Sequence, residues 1–260
     1  MPTTNQRFSE LHESGTFLIP NPFDAGSAKL LQSLGAVALA TTSSGFAATL
    51  GRRDQQVTRD EVVAHVAVLT AAVTIPVSVD AENGYASSPA GVAETAELLA
   101  QAGASGFSIE DYDPVTGAIM PVGEAAERVA AAAEVCARHD MVLTGRAENH
   151  LHGVGDLDDT IARLCAYRDA GAACVYAPGL ADLADIRRVV EETGIAVNVL
   201  ALRHGPPVGE LAAAGVRRVS TGGSLTWAAY GGLVAAATEL LEKGTSTYLD
   251  RAARLPADPG

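Results

Sequence analysis

The chain is 260 residues long, with 48% hydrophobic and only 5% aromatic residues, which predicts one domain over residues 1–260 with a mostly aliphatic core. Its net charge of −13, from 31 acidic and 18 basic residues, argues against binding to nucleic acid or to an anionic membrane. An anionic substrate would therefore need a local positive centre.

The amino-terminal segment and the cysteines predict a cytoplasmic protein. The first residues, Met-Pro-Thr-Thr-Asn-Gln-Arg, show no basic-then-apolar signal, and no window is long and apolar enough to span a bilayer. Cys136, Cys165 and Cys174 lack CxxC or zinc-site spacing, so we expect ordinary reduced thiols.

Short apolar runs alternate with alanine-rich segments of helical period, which is typical of βα units and a parallel sheet. The predicted strands are Phe17–Pro20, Val37–Thr41, Val77–Val79, Gly106–Ile109, Met141–Thr144, Cys174–Tyr176, Ala196–Asn198 and Arg218–Ser220. The predicted helices are Ala25–Leu34, Arg59–Ala72, Pro89–Ala102, Gly123–His139, Leu157–Ala170, Leu180–Glu192, Val208–Ala213 and Leu225–Leu241. A degenerate repeat supports these boundaries, because a capping glycine ends a helix before a strand at Gly35, Gly103, Gly171 and Gly215.

Eight such units predict an α/β fold, the (β/α)₈ TIM barrel, with its active site at the carboxyl ends of the strands. The alternative is an open, doubly wound sheet. A nucleotide cradle is not supported, since no Gly-x-Gly-x-x-Gly follows the first strand and no Walker-type Gly-Lys-Ser/Thr occurs. Leu255–Gly260 is expected to be a frayed tail.

Acidic side chains follow two of the predicted strands. Asp80 and Glu82 end a β-branched run, and in an extended chain residues i and i+2 lie on the same side, so both carboxylates could converge on a hard cation such as Mg²⁺. The alternative is that Asp80 caps a turn and Glu82 is a solvated loop residue. A second strand-like run also ends in acids, Glu110 and Asp111, which favours a functional site.

Three further strand ends carry candidate binding residues. Ser43, Ser44 and Gly45 could bind a carboxylate through hydroxyl and backbone N–H groups, or could form a plain Ser/Gly loop. Arg146 offers a planar fork suited to a carboxylate or phosphonate, although it could instead pair with a neighbouring glutamate. Asn198 could donate to a substrate or hold a loop in place.

An ordered set of motifs resembles the isocitrate lyase/phosphoenolpyruvate mutase superfamily over nearly the whole chain. These motifs are Thr41-Thr-Ser-Ser-Gly45, Leu50-Gly-Arg-Arg-Asp54, Val79-Asp-Ala-Glu-Asn-Gly-Tyr85, Ile109-Glu-Asp111, Gly145-Arg-Ala-Glu148 and Asn198. The resemblance implies a (β/α)₈ barrel that assembles as a dimer of dimers, with residues 225–260 forming a last helix, swapped between paired protomers, and a tail. It also implies Mg²⁺, or Mn²⁺, and an α-keto or α-hydroxy carboxylate that reacts through an enolpyruvate-like intermediate.

The resemblance also assigns roles to individual residues. Four acids would form the metal site, with Asp80 as the principal ligand and Asp54, Glu82 and Glu110 holding the metal's waters. Arg146 would bind the substrate carboxylate, and the segment from Ser43 to Gly45 would grip the other end of the pyruvyl unit. Glu82 and Glu148 stand where the family commonly has aspartate.

The segment Asp111–Pro121 departs from the family pattern. Isocitrate and methylisocitrate lyases have a Lys-Lys/Arg-Cys-Gly-His gate there, whose cysteine is the general acid, and the mutase has an asparagine-bearing gate; this chain has neither. In a thiol-independent route, Mg²⁺ and Arg146 would stabilise an enolate with Glu110 beside them, and Tyr112 or Tyr85 would supply a proton.

The sequence therefore predicts a Mg²⁺-dependent lyase, decarboxylase or hydrolase that cleaves a C–C bond of a small oxo or hydroxy acid, for example oxaloacetate or a methylisocitrate-like acid. One alternative is P–C bond chemistry on phosphonopyruvate. Another is a keto-acid-binding protein without turnover. An unrelated barrel enzyme such as a class II aldolase would be expected to cluster more histidines around its metal.

Overall fold

The computed structural model describes residues 2–252 and contains ten strands. They are β1 (Phe17–Ile19), β2 (Leu39–Ala40), β3 (Val77–Asp80), β4 (Gly106–Glu110), β5 (Tyr112–Asp113), β6 (Ala118–Ile119), β7 (Val142–Arg146), β8 (Cys174–Tyr176), β9 (Ala196–Leu200) and β10 (Arg218–Ser220). Eight of them form one sheet, while β5 and β6 pair with each other as a short antiparallel hairpin.

The eight-stranded sheet is a nearly closed barrel. Its strand order is β1-β10-β9-β8-β7-β4-β3-β2, and the neighbouring strands are parallel. The first and last strands of this order, β1 and β2, meet where the Ala40 N–H donates to the Pro20 carbonyl oxygen at 3.2 Å. The predicted (β/α)₈ barrel is therefore confirmed.

The helices alternate with the barrel strands. They are α1 (Thr4–Glu13), α2 (Ala25–Ser33), α3 (Ser43–Thr49), α4 (Arg59–Ala72), α5 (Pro89–Gln101), α6 (Val122–Arg138), α7 (Leu157–Asp169), α8 (Leu183–Thr193), α9 (Val208–Ala213), α10 (Ser224–Lys243) and α11 (Leu249–Ala252). All eight predicted helices are present. The largest boundary error is at α8, which begins after Asp182 because that carboxylate accepts the Ala184 N–H at 2.8 Å. Within residues 2–252, no helix has the length and apolarity needed to cross a membrane.

Helix α1 closes the amino-terminal end of the barrel, and the hydrophobic pattern does not predict it. Phe8 is its one buried residue, and the Phe8 ring packs edge-on against Phe17 of β1. Burying this ring is worth about 2–3 kcal/mol. Gly106 makes room for the ring, since a Cβ there would lie 2.9 Å from Phe8 and collide with the Val142 carbonyl.

Helix α3 stands where the sequence suggests a Ser/Gly loop, so the segment from Ser43 to Gly45 is its first turn. The Thr42 hydroxyl caps this turn by accepting the Gly45 N–H at 3.2 Å, which satisfies a donor that a helix terminus leaves free. Gly45 is required for packing, because a Cβ there would collide with Thr226 at the start of α10 and with Thr42. The tail predicted at Leu255–Gly260 lies outside the described residues.

Candidate active site at the carboxyl ends of the strands

Arg146 lies at the centre of a buried group of carboxylates at the mouth of the barrel. Strands β3, β4 and β7 are neighbours, and the register places Glu110 opposite Arg146. Arg146 Nη1 lies 3.1 Å from Glu110 Oε2 and 3.4 Å from Asp80 Oδ1, and its Nε donates to Glu148. Burial alone would lower the pKa of Arg146, but Glu110, Glu148 and Asp80 raise it well above its usual range. Arg146 therefore stays protonated, although the carboxylates around it outnumber it.

Asp80, the last residue of β3, is held in place by the segment that follows β2. The Ser43 N–H donates to Asp80 Oδ2 at 3.0 Å, and the Asp80 N–H donates to the Thr41 hydroxyl at 2.9 Å. The Ser44 hydroxyl, in contrast, lies 3.2 Å from the Thr42 hydroxyl. Of the predicted Ser43, Ser44 and Gly45, it is Ser43 that contacts an acid of the site.

Glu82 lies beside the other acids, but its backbone conformation differs from the extended one that was predicted. Its φ of 46° places it in the turn after β3, so the alternation of an extended strand does not relate it to Asp80. The side chain is buried, and Oε1 has no hydrogen-bond partner among residues 2–252. Burial, and then the charges of Asp80, Asp54 and Glu110, raise the pKa of Glu82 to about 8. An unpartnered buried carboxylate of this kind requires either a proton or a cation.

Asp54 and Glu110 complete the acidic group. Asp54 lies in the exposed loop between α3 and α4, where desolvation and then the charge of Asp80 raise its pKa. Glu110 is buried and accepts a hydrogen bond from Gln55 Nε2 at 3.1 Å. Burial raises the pKa of Glu110, and Arg146 offsets part of that rise.

The chemistry of these donors fits a hard divalent cation. In the described part of the chain, no three His, Cys, Asp or Glu side chains converge closely enough to ligate one ion directly. Mg²⁺ does not need such a cluster, since it keeps several waters and commonly takes one or two carboxylates directly. Asp80 would be the direct ligand, and Asp54, Glu82 and Glu110 would accept hydrogen bonds from the waters.

Glu82 makes the stability of the metal-free protein depend on pH. Its pKa is raised from 4.5 to about 8 on folding. This contribution to stability is therefore fully present below about pH 4.5 and is lost as the pH rises through about 8. In EDTA we expect the melting temperature to fall between about pH 6 and about pH 9, with a loss of roughly 2–4 kcal/mol attributable to Glu82. Thermal unfolding followed by circular dichroism measures this change.

Glu82→Gln is the control, because an amide in the same place cannot titrate. Its melting temperature should be less sensitive to pH over this range, and Mg²⁺ should stabilise the wild-type protein most at the alkaline end. If the melting temperatures of the wild-type and Glu82→Gln proteins in EDTA fall equally steeply as the pH rises, the raised pKa of Glu82 is contradicted.

Beneath the acids, a cavity of about 50 Å³ extends into the barrel and is lined mostly by polar side chains. Tyr176 of β8 lines it, with the Arg146 guanidinium 5.3 Å from the centre of the tyrosine ring. Asn198 lies deeper, where its Oδ1 accepts from Arg218 Nε at 2.8 Å and its Nδ2 donates to Ser220 Oγ at 3.0 Å. Tyr176 and Arg218 are not predicted as site residues. Tyr176 ends an apolar strand run with a polar side chain, which is the signal that could have found it, whereas the run Arg218–Ser220 gives no such signal.

The predicted proton donors occupy other places. Tyr112 belongs to the β5–β6 hairpin, and its ring stacks on His152 at 4.3 Å, outside the group around Arg146. Tyr85 is near the acids, and its hydroxyl is buried without a partner in the described residues. Burial, and then the charge of Glu82, raise the pKa of Tyr85 far above its usual range.

Asp111 anchors the base of the hairpin to the active-site strand. Its carboxylate is buried and accepts hydrogen bonds from the Glu148 N–H at 2.7 Å and from the Tyr167 hydroxyl at 2.6 Å. Arg163 donates to the same carboxylate at 3.1 Å. Asp111 therefore fixes the position of Glu148, whose side chain in turn holds Arg146.

Comparison with known proteins identifies the superfamily that the sequence motifs resemble, and the match extends over the whole barrel. The profile of the phosphoenolpyruvate phosphomutase family matches residues 8–241. A crystal structure described as a lyase/mutase from Burkholderia cenocepacia J2315 superposes with a TM-score of 0.92 and 46% identity, covering 98% of this chain and 93% of that one.

Two curated enzymes are more distant relatives. Oxaloacetate decarboxylase 2 of Pseudomonas fluorescens is 31% identical over 83% of this chain and 77% of its own length. The 2-methylisocitrate lyase of Escherichia coli K12 is 30% identical over 69% of this chain and 63% of its own length. With the profile match and the barrel mouth described above, these similarities establish that the chain belongs to the isocitrate lyase/phosphoenolpyruvate mutase superfamily.

Proposed function

We propose that the protein is a Mg²⁺-dependent lyase, decarboxylase or hydrolase that cleaves a C–C bond of a small α-keto or α-hydroxy carboxylic acid. The observation that carries this proposal is the buried Arg146, held by Asp80, Glu110 and Glu148 at the end of the barrel. A guanidinium fixed in this way can bind a carboxylate, and the acids beside it can hold a divalent cation.

The proposed mechanism uses this arrangement electrostatically. In an α-keto diacid such as oxaloacetate, the bond that breaks joins the carbon next to the carbonyl to the departing carboxylate. The carboxylate leaves as CO₂, the electron pair stays on the carbon next to the carbonyl, and conjugation with the carbonyl makes this fragment an enolate. The bound Mg²⁺ would supply Lewis-acid stabilisation of the enolate oxygen, as Mn²⁺ could. Arg146 would keep the adjacent carboxylate in place, and preorganised charges of this kind typically lower a barrier by about 3–4 kcal/mol each.

Protonation of the enolate carbon requires an acid that faces the cavity. Tyr176 lines the cavity beneath Arg146. Burial, opposed by the charge of Arg146, raises the pKa of Tyr176 to about 12, so the phenol keeps its proton at neutral pH and would donate it only to a strong base such as the enolate carbon. We therefore add Tyr176 to Tyr85 and Tyr112 as a candidate proton donor.

The relatives support this class of reaction, since an oxaloacetate decarboxylase and a 2-methylisocitrate lyase are both named for C–C bond cleavage. The name of the matching profile, phosphoenolpyruvate phosphomutase, favours P–C chemistry on phosphonopyruvate as the second candidate. A protein that binds keto acids without turnover is the third.

The test is an NMR screen of the products formed with Mg²⁺ from oxaloacetate, 2-methylisocitrate, isocitrate and phosphonopyruvate. Protein in EDTA and an Asp80→Asn variant would correct for spontaneous decarboxylation. We expect a Mg²⁺-dependent C–C product above both controls. Inorganic phosphate from phosphonopyruvate would favour the second candidate, and oxalate binding without any product would favour the third.

We also propose that the protein is a homo-oligomer in which paired copies exchange α10, as the resemblance to the superfamily implies. Thr226 is the one buried residue of this 20-residue helix. Its exposed apolar side chains include Leu233 and Leu241, which are 65% and 84% exposed. A mostly apolar groove beside β1, which includes Leu18, is a surface against which an exchanged helix could pack.

Leu241→Glu tests this assembly. A charge on the exchanged helix should cost several kcal/mol per interface and shift the wild-type oligomer towards monomer, as measured by analytical ultracentrifugation. Val68→Glu is the matched control, because Val68 is 56% exposed on α4. A monomeric wild-type protein at micromolar concentration, or equal effects of the two variants, would contradict the proposal.

A further inference from the structure

Arg218 is a buried cation without an anionic partner. It is 4% exposed, and its one side-chain hydrogen bond in the described structure runs from Nε to the Asn198 amide oxygen. Nη1 has no partner, and no carboxylate of residues 2–252 lies within ion-pair distance of the guanidinium. Four of its five N–H donors thus have no hydrogen bond to residues 2–252.

Other buried arginines of this chain are compensated more fully. Arg146 pairs with three carboxylates and Arg163 with two. Arg128 also lacks an ion pair in the described structure and its Nε has no partner there, but its Nη2 donates to two backbone carbonyls at 2.6 Å. An isolated buried charge costs several kcal/mol, so the burial of Arg218 beside a single neutral amide needs a compensating group from outside the chain.

The position of Arg218 indicates where that group would come from. The register places Arg146, Tyr176, Asn198 and Arg218 opposite one another on four adjacent strands, β7, β8, β9 and β10. Residues in register share a face of the sheet, and all four line the cavity that begins at Asp80. A continuous polar row therefore leads from the acids at the mouth to Arg218 on the barrel floor.

We propose that Arg218 is the specificity-determining residue that binds the distal carboxylate of a dicarboxylic substrate, whose other carboxylate lies on Arg146. This inference rests on the proposed function, which places the first carboxylate at the mouth. Asn198 and Ser220 are positioning residues, because their hydrogen bonds hold the guanidinium below the cavity. A monocarboxylate would leave the buried cation unpaired and should bind much more weakly.

The experiment compares two ligands of nearly equal shape, malate and 2-hydroxybutyrate, which differ by a carboxylate in place of a methyl group. Each enantiomer would be titrated calorimetrically into the full-length protein with Mg²⁺, and oxalate would serve as the reference ligand for the mouth alone. In the wild-type protein we expect one enantiomer of malate to bind at least about tenfold more tightly than the matching 2-hydroxybutyrate. In Arg218→Gln this preference should fall to about twofold or less, with oxalate affinity changed by less than about threefold.

Arg217→Gln is the matched control, since it removes the same charge from the adjacent residue, whose guanidinium donates to the Gly15 carbonyl outside the cavity. It should keep the preference for malate. Equal binding of the two ligands by the wild-type protein overturns the proposal without any variant, and so does a preference that survives in Arg218→Gln. If the wild-type protein binds neither oxalate nor malate, both the role of Arg218 and the proposed function are wrong. This outcome differs from the two above, in which oxalate still binds and only the role of Arg218 is wrong.

Discussion

Replacing Asp80 with asparagine is expected to abolish Mg²⁺-dependent binding of oxalate, which mimics the enolate of pyruvate. Asparagine keeps the shape of the side chain and can still accept the Ser43 N–H, but it removes the charge that the proposed direct metal ligand provides. We expect a loss of at least a hundredfold in affinity, or about 2.7 kcal/mol, measured by calorimetric titration of oxalate with Mg²⁺ present.

The same substitution should not destabilise the protein in EDTA. Asp80 raises the pKa of both Glu82 and Asp54, so these carboxylates repel one another in the metal-free fold. Removing one of the charges should leave the melting temperature unchanged or raise it slightly, as expected where a site has been built for function rather than stability. Asp182→Asn, at the α8 cap, is the control and should keep oxalate affinity. Unchanged oxalate affinity in Asp80→Asn would remove Asp80 from the metal site.

The barrel can be predicted from this sequence because apolar strand runs and capping glycines repeat along it. The strand ends are harder to locate. β3, β4 and β7 extend past their apolar runs to Asp80, Glu110 and Arg146, because a polar side chain at the barrel mouth leaves the backbone free to continue the ladder. Hydrophobicity therefore predicts where each strand lies, but not that its last residue is the functional one.

Other features depend on contacts between distant residues. α1 is polar apart from Phe8 and exists because that ring closes the barrel against Phe17. The β5–β6 hairpin has strands of two residues each, too short for a periodic pattern. Arg218 is harder still to anticipate, since its strand run, Arg218–Ser220, shows no sign that the first residue points into a polar interior. When strands surround a polar cavity, a charged side chain can be buried at a strand position where the sequence pattern predicts an apolar core residue.

Arg146 is the residue for which a conservative change should have the clearest effect. Its guanidinium contacts Asp80 and Glu110 through Nη1 and Glu148 through Nε, and it lies against Tyr176. Lysine has a single ammonium group, so it can keep the charge but cannot reproduce these directions or grip a carboxylate with two parallel hydrogen bonds.

We therefore expect Arg146→Lys to fold and to bind oxalate about 10- to 100-fold more weakly in the presence of Mg²⁺, a cost of about 1.4–2.7 kcal/mol. Arg163→Lys is the matched control: Arg163 is also largely buried and pairs with carboxylates, two in number, but it lies outside the cavity, and the Tyr167 hydroxyl still holds Asp111 in the variant. It should lose a similar amount of stability while keeping oxalate affinity within about threefold. Equal oxalate affinities in wild-type and Arg146→Lys proteins would mean that the ion pairs of Arg146 are structural and that the substrate carboxylate binds elsewhere.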